Sequence, residues 1–333
     1  MGNQLLRAIG SKARRDPKKL VFAEGDNISI IKAAIICFDE GIAKPILLGE
    51  PAIIEEMAAK NDIDISNLSI VNPKSEDCAA KRQAFANLFY QKRQRKGLSI
   101  YEAQKAMKDR NHFACMMVET GEADAVITGL SRNYADAIKP ALQIIGKEEG
   151  IEKIAGMYLL FTKKGPLFMA DTTVNFQPTA TELADIAIMA AKAVQNLNIT
   201  PRIAMLSYSN FGSSNAAEAK LVAEATQLVK QKAPNLIIDG EMQSHLALNN
   251  QLLKENYPFS SLVGENANVL IFPNLSAGNI AYNLMREIGG ADAVGPILLG
   301  LKKPVHILQM GSDVRNIINM ALIAVIDAQQ KMA

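Results

Sequence analysis

Four polar loops carry residue types suited to holding an anion. Glu24-Gly25-Asp26-Asn27 follows the apolar run at residues 20–23, and Gly129-Leu130-Ser131-Arg132-Asn133-Tyr134 follows the run at 125–128. Tyr208-Ser209-Asn210-Phe211-Gly212-Ser213-Ser214 follows 202–207, and Pro273-Asn274-Leu275-Ser276-Ala277-Gly278-Asn279 follows 269–272. Each opens into a helical pattern. Free backbone N–H groups at a helix start, with the helix dipole behind them, attract phosphate. Four such loops together point to a phosphate-rich ligand. The plainer reading of any one is that Ser, Asn and Gly simply make turns and helix caps.

Other chemistries lack their residues. No Gly-x-x-x-x-Gly-Lys-Ser/Thr loop is present, and no Gly-x-Gly-x-x-Gly follows a strand pattern, so neither a P-loop hydrolase nor a Rossmann dinucleotide site is supported. No His-x-x-x-His or carboxylate cluster suggests a metal, and His112, His245 and His306 lie far apart. Cys37, Cys78 and Cys115 are odd in number and widely spaced, which fits apolar fillers rather than a disulfide framework. The formal charge of +2 and 5% aromatic content argue against a nucleic-acid partner. No run reaches the roughly 18 apolar residues of a membrane span, and the basic N-terminus lacks an apolar signal core. Leu6 stands where N-myristoylation prefers Ser or Thr. The expected location is cytoplasmic.

The elements that position these loops alternate. Buried parallel strands read as continuous apolar runs. Such runs occur at 20–23, 45–48, 125–128, 157–161, 167–171, 202–207, 236–239, 269–272 and 305–308. Helical periodicity covers 28–40, 76–95, 100–120, 136–144, 181–197, 216–232, 280–288 and 314–329, with Thr179 or Thr181 and then Glu182 marking one helix start. The pattern predicts an open α/β fold with a mostly parallel sheet and ligands outside the carboxyl ends of its strands. At 333 residues two domains are expected. The seams fall near 146–153 and 295–304, giving a discontinuous domain of residues 1–147 plus 300–333 and a second of 148–299. The apolar stripe Ile318, Leu322 and Val325 reads as core or dimer contact rather than ligand pocket.

Several segments carry a resemblance to the phosphate acetyltransferase family, and within it to the phosphotransacetylase-like C-terminal domain of bacterial NADP-dependent malic enzymes. They include FAEGD at 22–26, GEADAVITGL at 121–130, KPALQII at 139–145, RIAMLSYSNFGSS at 202–214, DGEMQ at 239–243, FPNLSAGNIAYNLM at 272–285 and GADAVGPILLGLKKPV at 290–305. SRNYAD at 131–136, AGMYLLF at 155–161, DTTVNFQPTA at 171–180 and NMALIAVIDAQ at 319–329 resemble the malic-enzyme tail more than stand-alone transferases. The resemblance implies a two-domain isocitrate/isopropylmalate dehydrogenase-like fold with a cleft between domains, a dimer or higher homo-oligomer, and acetyl-CoA or CoA as ligand with no metal. Acetyl phosphate is a further possible ligand. If the chain is part of a longer one, an attached malic enzyme domain is the expected partner. The positions expected to hold ligand are Arg93, Thr128, Arg132, Lys139, Ser207, Asn210, Gly212, Ser213, Asn279, Tyr282, Gln309 and Asn316.

Acetyl transfer to CoA needs a base, because a thiol with a pKa near 8.5 is mostly protonated at neutral pH. It also needs cations for the phosphate and the developing charge. The resemblance implies a Ser-Arg pair and a following Asp for these tasks. Aligned on Lys303-Pro304-Val305, the Ser falls on Gln309, the Arg on Met310 and the Asp on Asn316. A further Arg position holds Lys139, which keeps charge but loses the bidentate fork. Another is retained at Arg93, and an Asp position in the 239–245 segment is His245. Loss of base catalysis costs about 10²–10⁴ in rate. The expectation is therefore an acetyl-CoA-binding regulatory domain with weak or no transferase activity. Three alternatives stand beside it. One is an active phosphate acetyltransferase with its base at Asp313, Glu24 or His245. The others are a non-binding oligomerisation module and, disfavoured by the missing metal carboxylates, a dehydrogenase.

Overall fold

The computed structural model describes residues 2–331. Two compact units are present: a terminal unit built from Leu6–Glu149 and the segment beginning at Leu301, and a middle unit, Gly150–Gly300, with which the described residues before Leu6 are grouped. From the N-terminus the elements are α1 (Gly2–Ala13), β1 (Lys18–Phe22), α2 (Ile28–Asp39), β2 (Ala43–Leu48), α3 (Pro51–Ala59) and β3 (Ser69–Val71). Then come α4 (Ala79–Arg93), α5 (Ile100–Ala106), α6 (Arg110–Glu119), β4 (Ala125–Thr128) and α7 (Tyr134–Pro140). The middle unit holds β5 (Ala155–Thr162), β6 (Gly165–Ala170), α8 (Ala180–Asn196), β7 (Arg202–Leu206), α9 (Ala217–Lys232) and β8 (Ile237–Met242). It continues through α10 (Ser244–Ala247), α11 (Asn250–Asn256), β9 (Val269–Ile271), α12 (Leu275–Glu287) and β10 (Asp292–Leu299). The last two elements, β11 (Val305–Ile307) and α13 (Val314–Lys331), belong to the terminal unit.

The terminal unit's sheet has the order β11-β4-β1-β2-β3 and is parallel throughout. Leu20, Val21 and Phe22 of β1 and Ala125, Val126 and Ile127 of β4 are fully buried, which is why these strands read as unbroken apolar runs. On α13, Ile317, Met320, Ala321, Ala324, Val325 and Ala328 are buried, and the helix packs on α2, β1 and β4. Leu322 and Val325 of the predicted stripe are core, while Ile318 is half-buried. The Gln329 amide donates to the carbonyls of Lys12, Ala13 and Asp16, tying the end of α13 to the turn after α1.

The middle unit's sheet departs from the expected parallel pattern. Its order is β10-β5-β6-β9-β7-β8, and the β10–β5 and β5–β6 pairs are antiparallel. Strand β10 occupies residues that read as a domain seam because Gly295-Pro296 interrupts them. Pro is tolerated on an edge strand at a bulge, and the β10–β5 register shifts between Val294 and Ile297. The sequence also missed β3, a three-residue edge strand.

Two predicted helices differ in a way that matters for the site. The helical run at 100–120 breaks into α5 and α6, because Asp109 adopts an extended conformation and caps α6. The helix expected at 280–288 starts earlier, at Leu275, because the Asn274 side chain accepts the N–H of Ala277 at 2.9 Å.

Candidate functional site

In the terminal unit the loops after β1, β4 and β11 lie side by side at the carboxyl ends of adjacent parallel strands. Ala23 N–H donates to the Ile127 carbonyl at 3.0 Å, and Leu308 N–H to the Thr128 carbonyl at 2.7 Å. Glu24, 4% exposed, ties the loop after β1 to the loop after β4. Its carboxylate accepts the backbone N–H groups of Leu130 at 2.7 Å and Ser131 at 2.9 Å, and the Ser131 hydroxyl at 2.6 Å. Gly129 makes the close approach possible. Its φ is +94°, and a Cβ there would lie 2.5 Å from the Ile307 Cγ2.

Asp109 is the second organising carboxylate. One oxygen accepts the backbone N–H groups of Asn111 and His112 and lies 3.0 Å from His112 Nδ1. The other meets the Arg132 guanidinium at 2.7 Å. Burial alone would raise its pKa, but the hydrogen bonds from His112 and Arg132 and the Arg132 charge outweigh it. The carboxyl is held well below the usual carboxylate range. Asp109, His112, Ser131, Arg132, Asn133, Asp136 and Lys139 line an open pocket of about 520 Å³. Arg132 is paired there, and Asp136 accepts the Asn133 amide at 2.6 Å. Lys139 makes no ion pair among the described residues, which leaves it the available cation.

Other predicted positions sit differently. Thr128 is buried, and its hydroxyl donates to Asn111 Oδ1 at 2.8 Å. Its polar end is engaged inside the protein. Arg93 ends α4, half-buried, and does not line the Lys139 pocket. On the β11–α13 loop, Gln309 is half-buried and Met310 is 68% exposed, while Asn316 is exposed in the first turn of α13. Gly311 N–H reaches the Leu130 carbonyl at 3.4 Å, so this loop lies against the one Glu24 holds. Asp313 accepts the Asn316 backbone N–H at 2.7 Å and caps α13.

In the middle unit a buried carboxylate again shapes a loop. Glu241, 2% exposed on β8, accepts the Ser209 hydroxyl at 2.8 Å and the Gly212 N–H at 2.7 Å. Its backbone carbonyl takes the Phe211 N–H at 2.9 Å. Asn210 and Gln243 exchange two hydrogen bonds, at 3.0 and 2.8 Å. The Ser213 hydroxyl accepts the Asn210 N–H at 2.9 Å, and the Ser207 hydroxyl accepts the Ser209 N–H at 3.2 Å. Much of the polar capacity of Ser207, Asn210, Gly212 and Ser213 is thus spent on the loop's own shape. Asn279 is exposed on α12, with its amide 3.4 Å from the Thr172 carbonyl. Tyr282 is buried and stacked on Tyr158 with ring centroids 3.8 Å apart, and its hydroxyl accepts from Arg286 at 3.2 Å. Its ring therefore packs within the unit. His245 is exposed on α10.

Sequence reading passed over the roles of Asp109 and Glu241. The signal for Asp109 was present, an Asp just before Arg110-Asn111-His112 in N-cap position. Glu241 sits within DGEMQ but acts through tertiary contacts. Cys37 and Cys115 are not poised for chemistry: burial, with a contribution from Glu40, pushes the Cys37 thiol up to about 12, and burial also raises Cys115. Among the described residues no group of three or more His, Cys, Asp or Glu is arranged to hold a metal ion, and no helix is long and apolar enough to cross a membrane.

An α/β protein with two sheets and phosphate-suited loops at strand ends is thereby defined. A family model described as phosphate acetyl/butaryl transferase matches residues 4–325, and the chain belongs to that family. It is 39% identical over 98% of its length to an NADP-dependent malic enzyme of Salmonella typhimurium, of which it spans 43%. It is 35% identical to a phosphate acetyltransferase of Clostridium acetobutylicum, covering 98% of this chain and 99% of that one. Among solved structures, the EutD phosphotransacetylase from Staphylococcus aureus superposes with a TM-score of 0.91 at 32% identity, covering 98% of both chains. The chain thus spans less than half the length of its malic enzyme relatives and nearly the full length of the transferases.

Proposed function

We propose that this chain binds acetyl-CoA in a phosphotransacetylase-like manner and has little or no capacity to transfer the acetyl group to or from phosphate. As part of a malic enzyme it would sense acetyl-CoA and restrain the attached malate-decarboxylating part. The isocitrate/isopropylmalate dehydrogenase-like description of the fold, binding of acetyl phosphate and self-association belong to the same reading.

The observation that carries it is the β11–α13 loop. A base is needed to take the proton from the CoA thiol, and the side chains at the two positions of interest are Met310 and the amide of Asn316. An amide cannot accept that proton at neutral pH, and a thioether holds no phosphate. The shape of this loop, by contrast, is kept by backbone contacts from Leu308 and Gly311 to the end of β4 and the neighbouring β4–α7 loop, which Glu24 holds. Binding and chemistry are therefore separable here.

A second reading is an active transferase with Asp313 as base. Its favouring observation is that Asp313 is exposed at the start of α13, one helical turn from Asn316, whose N–H it accepts. Calorimetric titration with acetyl-CoA, beside an assay of acetyl-CoA formation from acetyl phosphate and CoA, separates the two. Heat without turnover supports the sensing reading. Turnover that Asp313→Asn abolishes replaces it with the second, and no heat at millimolar acetyl-CoA removes the sensing reading.

A further inference from the structure

A second pocket of the terminal unit, about 650 Å³, opens between α4 and α5. Its walls carry Arg82, Lys105 and Lys108, the amides of Gln83 and Gln104, and the ring of Tyr101, and no carboxylate. This is unusual in a chain with 36 basic and 34 acidic residues. Other lysines of this unit, such as Lys60 with Glu56 and Lys81 with Glu122, sit in ion pairs. Lys105 and Lys108 make none among the described residues.

Four further observations converge on the same spot. The Arg82 guanidinium is oriented from behind, by hydrogen bonds to the carbonyls of Pro73 and Ser75. Gln104 donates to Gln83 at 3.1 Å, joining α5 to α4 across the pocket. Helix α4 begins at Ala79, which lines the pocket, and its N-cap residue Cys78 supplies no side-chain hydrogen bond. The positive end of a 15-residue helix is thus left without a capping side chain beside three cations. Tyr101, 71% exposed, offers a flat aromatic face at the rim.

Converging cations and a helix start select phosphate, and an exposed phenol ring selects a flat heterocycle. We infer that this pocket binds a phosphorylated nucleoside, its phosphate on Arg82, Lys105 and Lys108 and its base on Tyr101. The volume falls in the roughly 300–1,000 Å³ range of small-molecule sites. The nucleotide could belong to the phosphoadenosine end of CoA or be free; the chemistry recognised is the same.

The test is calorimetric titration of the full chain with adenosine 3′,5′-bisphosphate, which has neither thiol nor acetyl group; because a CoA site elsewhere could also take it, the pocket variants assign the heat to this pocket. Lys105→Glu/Lys108→Glu should weaken binding by about 10-fold or more. Tyr101→Ala should weaken it by about 5-fold or more while leaving pyrophosphate binding unchanged. CoA and ADP, titrated in parallel, identify the source. A matching loss for CoA assigns the pocket to the CoA nucleotide, and a loss confined to ADP and the bisphosphate assigns it to a free nucleotide. Absence of heat with millimolar bisphosphate, or equal affinity in the Lys105→Glu/Lys108→Glu variant, overturns the inference. Equal affinity in Tyr101→Ala overturns the assignment of the base.

Discussion

Asp313 accepts the backbone N–H of Asn316 at 2.7 Å, so the carboxylate just before α13 serves to start the helix that carries Asn316 in its first turn. That relationship separates the architecture of the proposed acetyl-CoA site from its chemistry. The loop is held, but the side chain at 316 is an amide. Restoring a base and a cation should therefore restore rate without rebuilding the fold. Met310→Arg/Asn316→Asp is expected to raise acetyl-CoA formation from acetyl phosphate and CoA by about 10²–10⁴ over the unaltered chain. Steady-state assays at saturating CoA check this. Both positions are exposed, so the variant should keep the starting stability.

Glu24→Gln tests the clamp on the β4–α7 loop. The carboxylate accepts three hydrogen bonds, from Leu130, Ser131 and the Ser131 hydroxyl. An amide nitrogen placed there would face a donor rather than an acceptor. The expected cost is about 1–3 kcal/mol of stability, read as a lower urea midpoint, with weaker acetyl-CoA binding alongside. An unchanged midpoint would show that the loop holds itself.

Asp109 gives a pH dependence of definite sign. Its folded-state carboxyl lies below the ordinary value, so the unfolded chain binds its proton first as pH falls. Its contribution is complete above the unfolded pKa of about 4 and fades as pH drops toward the lower folded value. Asp109→Asn keeps a good helix cap but loses the charge on Arg132. Urea midpoints between pH 7 and pH 3 should fall less steeply in the variant than in the parent. Asp109→Ala, which removes the cap too, should cost about 1–2 kcal/mol at neutral pH.

Gly129→Ala places a Cβ 2.5 Å from the Ile307 Cγ2 in a backbone with φ of +94°. Steric overlap and an unfavourable left-handed conformation both oppose it. A loss of roughly 1–3 kcal/mol is expected in thermal or urea unfolding, larger than for Gly121→Ala, where φ is +80° but no atom lies within 4 Å.

The parts of this molecule legible in its sequence are those set by local pattern. Buried strands such as β1 and β4 announce themselves as apolar runs, and of the two candidates Thr179 and Thr181 for one helix start it is Thr179 that caps α8, in a capping box with Glu182 whose bonds are 3.3 and 2.9 Å. Strand β10 was hidden because Gly295-Pro296 mimics a linker, and β3 because three residues carry little pattern. The break at Asp109 was masked by apolar periodicity that continues through it. The clamps were out of reach for a different reason. Glu24 meets Ser131 across 107 positions and Glu241 meets Ser209 across 32, and nothing local marks either partner. Tyr282 shows the converse: a residue type suited to a ligand, placed instead on Tyr158 in the interior.

The most direct test is the initial rate of acetyl-CoA formation from acetyl phosphate and CoA, measured on the unaltered chain in a sample whose acetyl-CoA binding has been established by calorimetry. The expected result is a rate near the uncatalysed background. Rapid turnover that vanishes in Asp313→Asn would contradict it.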